Sequence, residues 1–442
     1  MYVCQKISVV VLAAGQGSRM KSSLPKVLHP LAGLPLAAHV VNTARQFTSD
    51  ISMVVGHGAE QVKQYFSDQG IKFCLQQEQL GTGHAVAQAL HQLPKQGAVL
   101  VLYGDVPLTK PETLQTLVSK VTDESMGLLT VNVDDPTGYG RIVRDENFKV
   151  TAIVEHKDAS EDQLSITEIN SGIIAIPAWA LHEWLPKLSN NNVNEGVAVQ
   201  AVHPDSEQET LGVNNRIQLA ELERWYQHQQ AERLMVSGAT LADPARIDVR
   251  GELTTGEDVS IDINCVFEGR VQLGNGVVIG PNCVIRNATI GDDSVIEANS
   301  VIDEASIGAS ANIGPFARIR PGTELADKTK VGNFVETKKA IIGEGSKVNH
   351  LSYIGDATIG SGANIGAGTI TCNYDGANKF QTQIGDGAFV GSNSTLIAPV
   401  TIEEGAFIGA GSVITKTAPA DQLTVGRARQ VTISNWQKPR KQ

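Results

Sequence analysis

Two stretches of this sequence place charged side chains beside backbone suited to holding phosphate. Ile7–Leu12 is an apolar run, broken only by Ser8, that leads into Ala13-Ala14-Gly15-Gln16-Gly17-Ser18-Arg19-Met20, and Lys26 follows in Leu24-Pro25-Lys26. A strand that ends in a glycine-rich turn exposes bare N–H groups, and the start of a following helix favours anions. Arg19 and Lys26 add two positive charges. Together these features suit a triphosphate. A second apolar run, Val99–Tyr103, ends in Gly104-Asp105-Val106-Pro107. A carboxylate at the carboxyl end of a buried strand lies where α/β sheets bind ligands, which makes Asp105 a candidate Mg²⁺ ligand. Turn chemistry alone would equally place an Asp before a proline. The dinucleotide fingerprint fails, because Met20 stands where its third glycine is required. A Walker A loop fails as well, since no Gly-Lys-Ser/Thr follows these glycines.

A third stretch, Lys347-Val348-Asn349-His350-Leu351-Ser352-Tyr353, carries a histidine that suits a different reaction. An imidazole can take a proton from a reacting group near neutral pH. Basic residues accumulate nearby at Arg318, Arg320, Lys338 and Lys339. Taken singly, His350 is as readily a structural residue, and the basic residues as readily a solvated face.

The elements that must position these residues differ between the two halves of the chain. Up to about Arg216, short apolar runs alternate with helix-like stretches such as His84–Gln92 and Glu112–Val121. Runs without polar alternation suit strands buried on both faces of a mostly parallel sheet, so an α/β domain is expected. Over Arg216–Val236, Leu219, Leu222 and Tyr226 recur at steps of three and four among Glu and Arg, which reads as one amphipathic connecting helix ending near Gly238. Beyond Val249 the texture changes. Aliphatic or Phe residues fall every six positions, from Ile261, Phe267, Leu273 and Ile279 onward to Ile402, Ile408 and Ile414, with one-residue slips before Ile290 and Ile307, an irregular patch after Val331, and a break over Ile370–Gln383. Roughly twenty such units make a hexapeptide repeat, the pattern of a parallel β-helix whose coils bury their interior only by stacking. Small residues at the corners let the chain turn. The break contains Thr371-Cys372-Asn373-Tyr374-Asp375-Gly376-Ala377-Asn378-Lys379, a loop ejected from a regular shaft, and such loops are kept for contact or function. The expected domains are residues 1–216, a helical linker over 217–237, and residues 238–442.

With 442 residues, two or three domains are expected, and the hydrophobic (41%) and charged (19%) fractions are globular. A net charge of −11 repels nucleic acid and anionic lipid, which argues against both as partners. Any anionic substrate must be met by local basic clusters. The five cysteines, Cys4, Cys74, Cys265, Cys283 and Cys372, form no CxxC pair and fit a reducing cytoplasm. Val9–Ala14 is too short and too poorly flanked for a signal peptide, and no run is long enough to span a membrane.

The first loop resembles that of the sugar-1-phosphate nucleotidyltransferases, L-A-A-G-x-G-[ST]-R-M followed by P-K, here beginning at Leu12. Gln76 with Leu80-Gly81-Thr82-Gly83-His84-Ala85 resembles that family's uracil-reading segment, and Tyr103-Gly104-Asp105 its metal strand. Gly138-Tyr139-Gly140-Arg141, Ile153-Val154-Glu155-His156-Lys157 and Glu168-Ile169-Asn170 resemble its sugar-binding segments; Val213-Asn214-Asn215-Arg216 resembles the end of that domain. Over nearly its whole length the chain is similar to the bifunctional N-acetylglucosamine-1-phosphate uridyltransferases/glucosamine-1-phosphate N-acetyltransferases. The resemblance implies a Rossmann-like mixed sheet followed by a left-handed β-helix. It implies acetylation of glucosamine-1-phosphate by acetyl-CoA, then coupling to UTP with release of pyrophosphate. In the first site it assigns nucleotide and sugar contacts to Leu12, Ala13, Ala14, Gly15, Lys26, Gln76, Gly81, Thr82, Tyr103, Gly104, Asp105, Gly140, Glu155, Asn170 and Asn214, with Mg²⁺ on Asp105 and Asn214 and catalytic charge from Arg19 and Lys26. In the second it gives His350 as base, Glu336 to orient it, Arg320, Lys338, Tyr353 and Asn364 for sugar phosphate, and Ala367, Asn373, Tyr374, Ser392, Ala410 and Arg427 for acetyl-CoA. Three shafts side by side, a homotrimer, are implied too. The other reading is a monofunctional nucleotidyltransferase whose β-helix serves only oligomerisation. The chain departs from the family at one place. Members carry G-E-Y-Y-L-T-D, opening a short helix beside the sugar site, whereas here Asn190-Asn191-Asn192 and Val193-Asn194-Glu195-Gly196 pass straight to Val197–His203. That shortening bears on sugar affinity and on the uridyl-transfer rate.

Overall fold

A computed structural model of the chain describes residues 6–187 and 197–439, so the shortened stretch after Asn192 lies outside the described residues. The chain forms two compact units, Met1–Tyr226 and Gln227–Gln442. The helix Arg216–Val236 is not a free-standing connector: Leu219 and Leu222 belong to a cluster of the first unit, while Ala231 and Leu234 belong to the core of the second.

Among the described residues the first unit is built on a nine-stranded mixed sheet. In chain order its strands are β1 (Ile7–Ala13), β2 (Ile51–Val55), β3 (Lys72–Leu75), β4 (Ala98–Tyr103), β5 (Ser125–Asn132), β6 (Arg141–Arg144), β7 (Val150–Val154), β8 (Glu168–Pro177) and β9 (Ala198–Val202). They lie in the order β9-β5-β8-β4-β1-β2-β3, with β6 pairing β8 and β7. β1 is central and parallel to both β2 and β4; β8 runs antiparallel to β4 and β5. Val9, Val10 and Val11 are fully buried, with Val9 and Val11 in one apolar cluster and Val10 in the other. A strand covered on both faces needs no polar residues, which explains the continuous apolar runs in the sequence. The register Leu12↔Tyr103 sets the ends of β1 and β4 side by side, so the glycine loop and Asp105 leave the sheet at the same edge.

The second unit is a three-faced prism of stacked short parallel strands. One face runs through Ser260–Ile261, Val278–Ile279, Val295–Ile296 and Asn312–Ile313 to Phe407–Ile408 and Leu423–Thr424. The other two share the long strands Ile247–Thr255, Cys265–Leu273, Glu336–Ile342 and Tyr353–Ile359, which turn a corner from one face to the next. The aliphatic residues picked out by the six-residue period, Ile261 through Ile414, point inward in one continuous core. Two rungs that the period missed are polar: Thr337 is buried in register between Ile319 and Ile354, and Thr371 is buried in register with Leu396. The irregular patch after Val331 is therefore an ordinary coil with a threonine inside, and Thr337 meets Thr323 hydroxyl to hydroxyl at 3.2 Å. The break at Ile370 likewise begins with a regular strand, Ile370–Cys372, and the chain leaves the shaft only after it.

Corner residues adopt left-handed backbone, as at Asn264 and Asn282, where the short amide side chain tolerates it. Phe316, Phe334 and Leu351 do the same at φ of 57, 57 and 51°, against a steric cost of about 1–2 kcal/mol each. All three are exposed, and the two phenyl rings stack at 5.4 Å. Cys265 and Cys283 are stacked inside the shaft as free thiols, and burial pushes the Cys283 thiol up to about 12, so it stays protonated and inert. Among the described residues no helix is long and apolar enough to cross a membrane.

Stacking as the source of stability gives a direct test. Ile302 is fully buried between Ile285 and Ile319. Ile302→Ala is expected to lower the second unit's unfolding transition in calorimetry by the equivalent of about 2–5 kcal/mol and to leave the first unit's transition in place. An unchanged transition would contradict a load shared coil to coil.

Candidate functional site

At the shared edge of β1 and β4 the first unit holds a cavity of about 330 Å³. Its wall is Leu12 and Ala13 from the end of β1 and Ala14 and Gly15 just after it, Lys26 and Val27 from the next turn, Gln76, Gln79, Gly81, Thr82 and Ala85 beyond β3, Tyr103 from β4 and Asp105 from the turn that follows it. Glycines set the close approaches. Gly17 takes φ 60° with its α-carbon against Lys26, where an added Cβ would meet the lysine Cβ at 2.7 Å. Gly104 donates to the Leu12 carbonyl at 2.9 Å and has no room for a bulky side chain against Leu12, Ala13 and Val27.

The electrostatic centre of the cavity is Lys26. Its ammonium is ion-paired with Asp105, both side chains being mostly buried (12% and 16% exposed), and it donates to Asn214 Oδ1 at 3.3 Å. Asn214 is brought there by the hydrogen bond from Val213 N to the Asp105 carbonyl (2.9 Å), and its own N–H is taken by Gln218 Oε1 (2.8 Å). Tyr103 is mostly buried. Burial pushes its phenol up, Thr82 opposes this by a hydrogen bond, and the charges of Asp105 and Glu155 push the same way as burial, so the phenol is a neutral group.

Gly140, Glu155 and Asn170 do not line this cavity but are held around the same tyrosine. The Gly140 carbonyl accepts from Asn170 N at 2.9 Å, and Gly140 lies against Ile153 and Glu155. Gly172, whose N–H donates to Asn170 Oδ1 at 2.8 Å, packs on the Tyr103 ring. Arg141 is buried (1% exposed), donating to the Tyr139 carbonyl at 2.5 Å and to His156 Nδ1 at 3.3 Å. Glu168 is tied to Arg144 at 2.7 and 2.5 Å, a structural pin. Arg19 stands apart from this group: it is exposed on the turn Ser18–Met20 and does not line the cavity. Gln79 and Val27 also line it and were not picked out from the sequence, as does Ala85 at the end of the segment read from Gln76 onward. Gln79 Nε2 donates to the Ala14 carbonyl at 2.6 Å and clasps two loops together, a contact between residues 65 apart that no local motif announces.

In the second unit His350 is exposed at a corner, with Nδ1 2.8 Å from Asn333 Oδ1. An amide oxygen only accepts, so Nδ1 carries the proton and Nε2 is the free base. This corrects the expectation that Glu336 orients His350. Register decides it: Asn333 stacks beneath His350, whereas Glu336 stacks between Arg318 and Tyr353. Glu336 instead accepts from Arg320 at 2.6 Å and lies 3.9 Å from Arg318. Arg320 and Lys338 follow one another on successive coils, since Ile319 pairs with Thr337. The Lys338 ammonium is held below its ordinary range first by Lys379 and then by Arg320. Lys379 is the cation that the sequence reading left unassigned. It ends the ejected loop and is brought back by its bridge to Tyr374. Three cations this close call for an anion.

Tyr353 lies in register with Glu336, its ring over Gly355, and Asn364 lies on another face between Lys347 and Phe389. Ala367, Ser392 and Ala410 are equivalent positions on successive coils: Asn393 N donates to the Ala367 carbonyl at 2.7 Å, Gly411 N to Ser392 at 2.8 Å, and Arg427 Nη1 to Ala410 at 2.5 Å. The Gly368 N–H donates to the His350 carbonyl at 3.2 Å, so this small-residue corner continues the one that bears the histidine. Asn373 is bonded to Asp356, and Tyr374 is exposed with its hydroxyl donating to the Gly376 carbonyl at 2.5 Å.

Comparison with known proteins agrees with this two-part layout. The family model of the MobA-like NTP transferase domain matches residues 9–241, that of the GMPPB C-terminal domain residues 249–331, and that of the bacterial transferase hexapeptide (six repeats) residues 381–416. The chain is 60% identical over 450 residues to "Bifunctional protein GlmU" of Marinobacter nauticus, covering 98% of this chain and 99% of that one. It is 58% identical to the protein of that name from Cellvibrio japonicus and 54% to that of Pseudomonas putida, each again over 98% of this chain and 99% of the other. The aligned length exceeds the 442 residues present here, so these relatives carry residues without a counterpart in this chain. A MobA-like transferase domain joined to hexapeptide repeats, with identity of this order from end to end, places the chain in the family of bifunctional GlmU proteins.

Proposed function

We propose that this chain makes UDP-N-acetylglucosamine in two steps, acetylating glucosamine-1-phosphate on the prism and coupling the product to UTP in the cavity of the first unit. The observation that carries this reading is that one chain holds two separate arrangements of fixed charge: Lys26 on Asp105 and Asn214 in a walled cavity, and on the prism a cluster of three cations together with a histidine whose Nδ1 is bonded to Asn333. A post used only for oligomerisation would need neither a histidine with its proton fixed by Asn333 nor a stack of small residues beside it.

In the first step the sugar ammonium gives a proton to His350 Nε2. Its nitrogen attacks the acetyl-CoA carbonyl, the carbon–sulfur bond breaks, and the departing thiolate is protonated. The hydrogen bond to Asn333 keeps Nε2 as the bare nitrogen. Arg320, Lys338 and Lys379 hold the sugar phosphate, and Ala367, Ser392 and Ala410 leave room for the CoA chain, with Arg427 at hand for a CoA phosphate. In the second step a phosphate oxygen of N-acetylglucosamine-1-phosphate attacks the α-phosphorus of UTP and the bond to the bridging oxygen breaks. The nucleophile is already anionic, so the residues have only to align two anions. Gly15 and its neighbours offer backbone N–H groups and Lys26 a charge, while Tyr103, Gly140, Glu155 and Asn170 surround the sugar; Arg19 on the adjoining turn adds exposed charge. Asp105 and Asn214 direct two oxygens at one cation position, a donor set that suits Mg²⁺. When bound, that ion offsets charge growing on the pyrophosphate.

The chain is further proposed to assemble as a homotrimer. Phe316, Phe334 and Leu351 form an exposed apolar corner in unfavourable backbone conformations, and Leu351 adjoins His350, as expected where a second shaft packs.

Asp105→Ala is expected to cut uridyl transfer by at least about a hundredfold while acetyl transfer persists in the same preparation. His350→Ala should do the reverse, costing about a hundredfold or more in acetyl transfer alone. Equal loss of both activities in either folded variant would reject the division of labour. Sedimentation equilibrium should return three chains, and a fully acetylating monomer would reject the trimer.

A further inference from the structure

One side chain beside the nucleotide cavity has no part in the chemistry above. His84, on the first turn of the helix Thr82–Ala89, is held between two amides. Gln76 Nε2 lies 3.1 Å from its Nδ1, and Gln88 Nε2 lies 3.1 Å from its Nε2. A neutral imidazole has one bare nitrogen and one N–H, so it accepts from only one of these amides. Burial decides which. Gln76 is 5% exposed, and its amide nitrogen also donates to the Gly81 carbonyl at 3.4 Å. Gln88 is half-buried, so its amide can turn its oxygen to the ring and give up its 3.1 Å bond to the His84 carbonyl, water being at hand for the groups released. An unmet donor costs most where water cannot reach it, so the ring takes the Gln76 N–H on a bare Nδ1 and carries its own proton on Nε2. Both N–H bonds of Gln76 are then used, one on Gly81 and one on His84. Its oxygen accepts from no described residue, and Gln76 lines the cavity.

We propose that His84 is a positioning residue that locks the Gln76 amide with its oxygen toward the cavity, and that this makes the site select a pyrimidine bearing an imide N–H, uracil, over cytosine. Uracil N3 carries a hydrogen that an amide oxygen accepts. Cytosine N3 is bare, so the same oxygen would bring two lone pairs together. Without His84 only the long bond to the Gly81 carbonyl (3.4 Å) holds the amide, and an amide that turns presents an N–H₂ that suits the cytosine edge as well. A site built to meet one donor rejects the ring that lacks it. The inference rests on the nucleotide reading of this cavity.

The test is steady-state uridyl or cytidyl transfer by the full chain, with N-acetylglucosamine-1-phosphate, Mg²⁺ and either UTP or CTP. In His84→Phe, which keeps a ring but no acceptor, kcat/KM for UTP is expected to fall roughly tenfold to a hundredfold, chiefly through KM, while that for CTP holds or rises. His84→Asn, whose amide oxygen can stand where Nδ1 stood, should keep most of the UTP/CTP ratio. Acetyl transfer in the same preparations reports that the chain is folded. If His84→Phe does not fold, His84→Ala set against His84→Asn gives the same contrast. An unchanged ratio in the variant lacking the acceptor, an equal fall in the Asn variant, or a wild-type enzyme indifferent between the two nucleotides would overturn the inference. A wild-type enzyme inactive with both nucleotides would instead overturn the nucleotide reading itself.

Discussion

An acidic chain that works on phosphates must keep its positive charge local and fixed, and the architecture of this protein is organised by that constraint. The net charge of −11 offers no general attraction to a nucleotide or a sugar phosphate. In the first unit Lys26 is fixed by Asp105 and Asn214, within a pocket whose walls limit screening by water. In the second unit the charges are set by repetition. Successive coils place Arg320 under Lys338, and the ejected loop returns Lys379 to the same place, so that Lys338 already feels two like charges. An arriving phosphate relieves that repulsion, so the preorganised repulsion favours the ligand.

The two units reach local order by different routes. In the sheet, the register Leu12↔Tyr103 carries the glycine loop and Asp105 to one edge, and a backbone bond from Val213 to Asp105 brings in Asn214 from far along the chain. In the prism, neighbours are set by the step from coil to coil, which gives His350 the company of Asn333 and makes Ala367, Ser392 and Ala410 one stripe. The prism's regularity also means that a single substitution in its interior is felt by the coils above and below.

Much of this was legible in the sequence because it is written in periods and short motifs. Ile261 through Ile414 announce the shaft, and the run from Leu12 to Lys26 announces a loop that walls the cavity of the first unit. What escaped was either polar where the pattern expects aliphatic, or distant where motifs are local. Thr337 and Thr371 fill interior rungs because a threonine matches the shape of valine and can bond its hydroxyl within the shaft, as Thr337 does to Thr323 and Thr371 to the Gly355 carbonyl at 3.0 Å. Asn333 replaced Glu336 beside His350 because register, which spacing alone does not give, chooses between two residues only three apart. Gln79 and Lys379 reach their places through tertiary contacts, and His84 through the two amides that flank it.

The central claim is that fixed local charge, not overall charge, takes up the nucleotide. Calorimetric titration of UTP with Mg²⁺ into the wild-type chain and into Lys26→Met tests it most directly, with acetyl-CoA titrated into both as the internal reference. UTP affinity is expected to fall by about tenfold or more in the variant, with acetyl-CoA affinity unchanged. Equal UTP affinity in the two proteins would contradict the account.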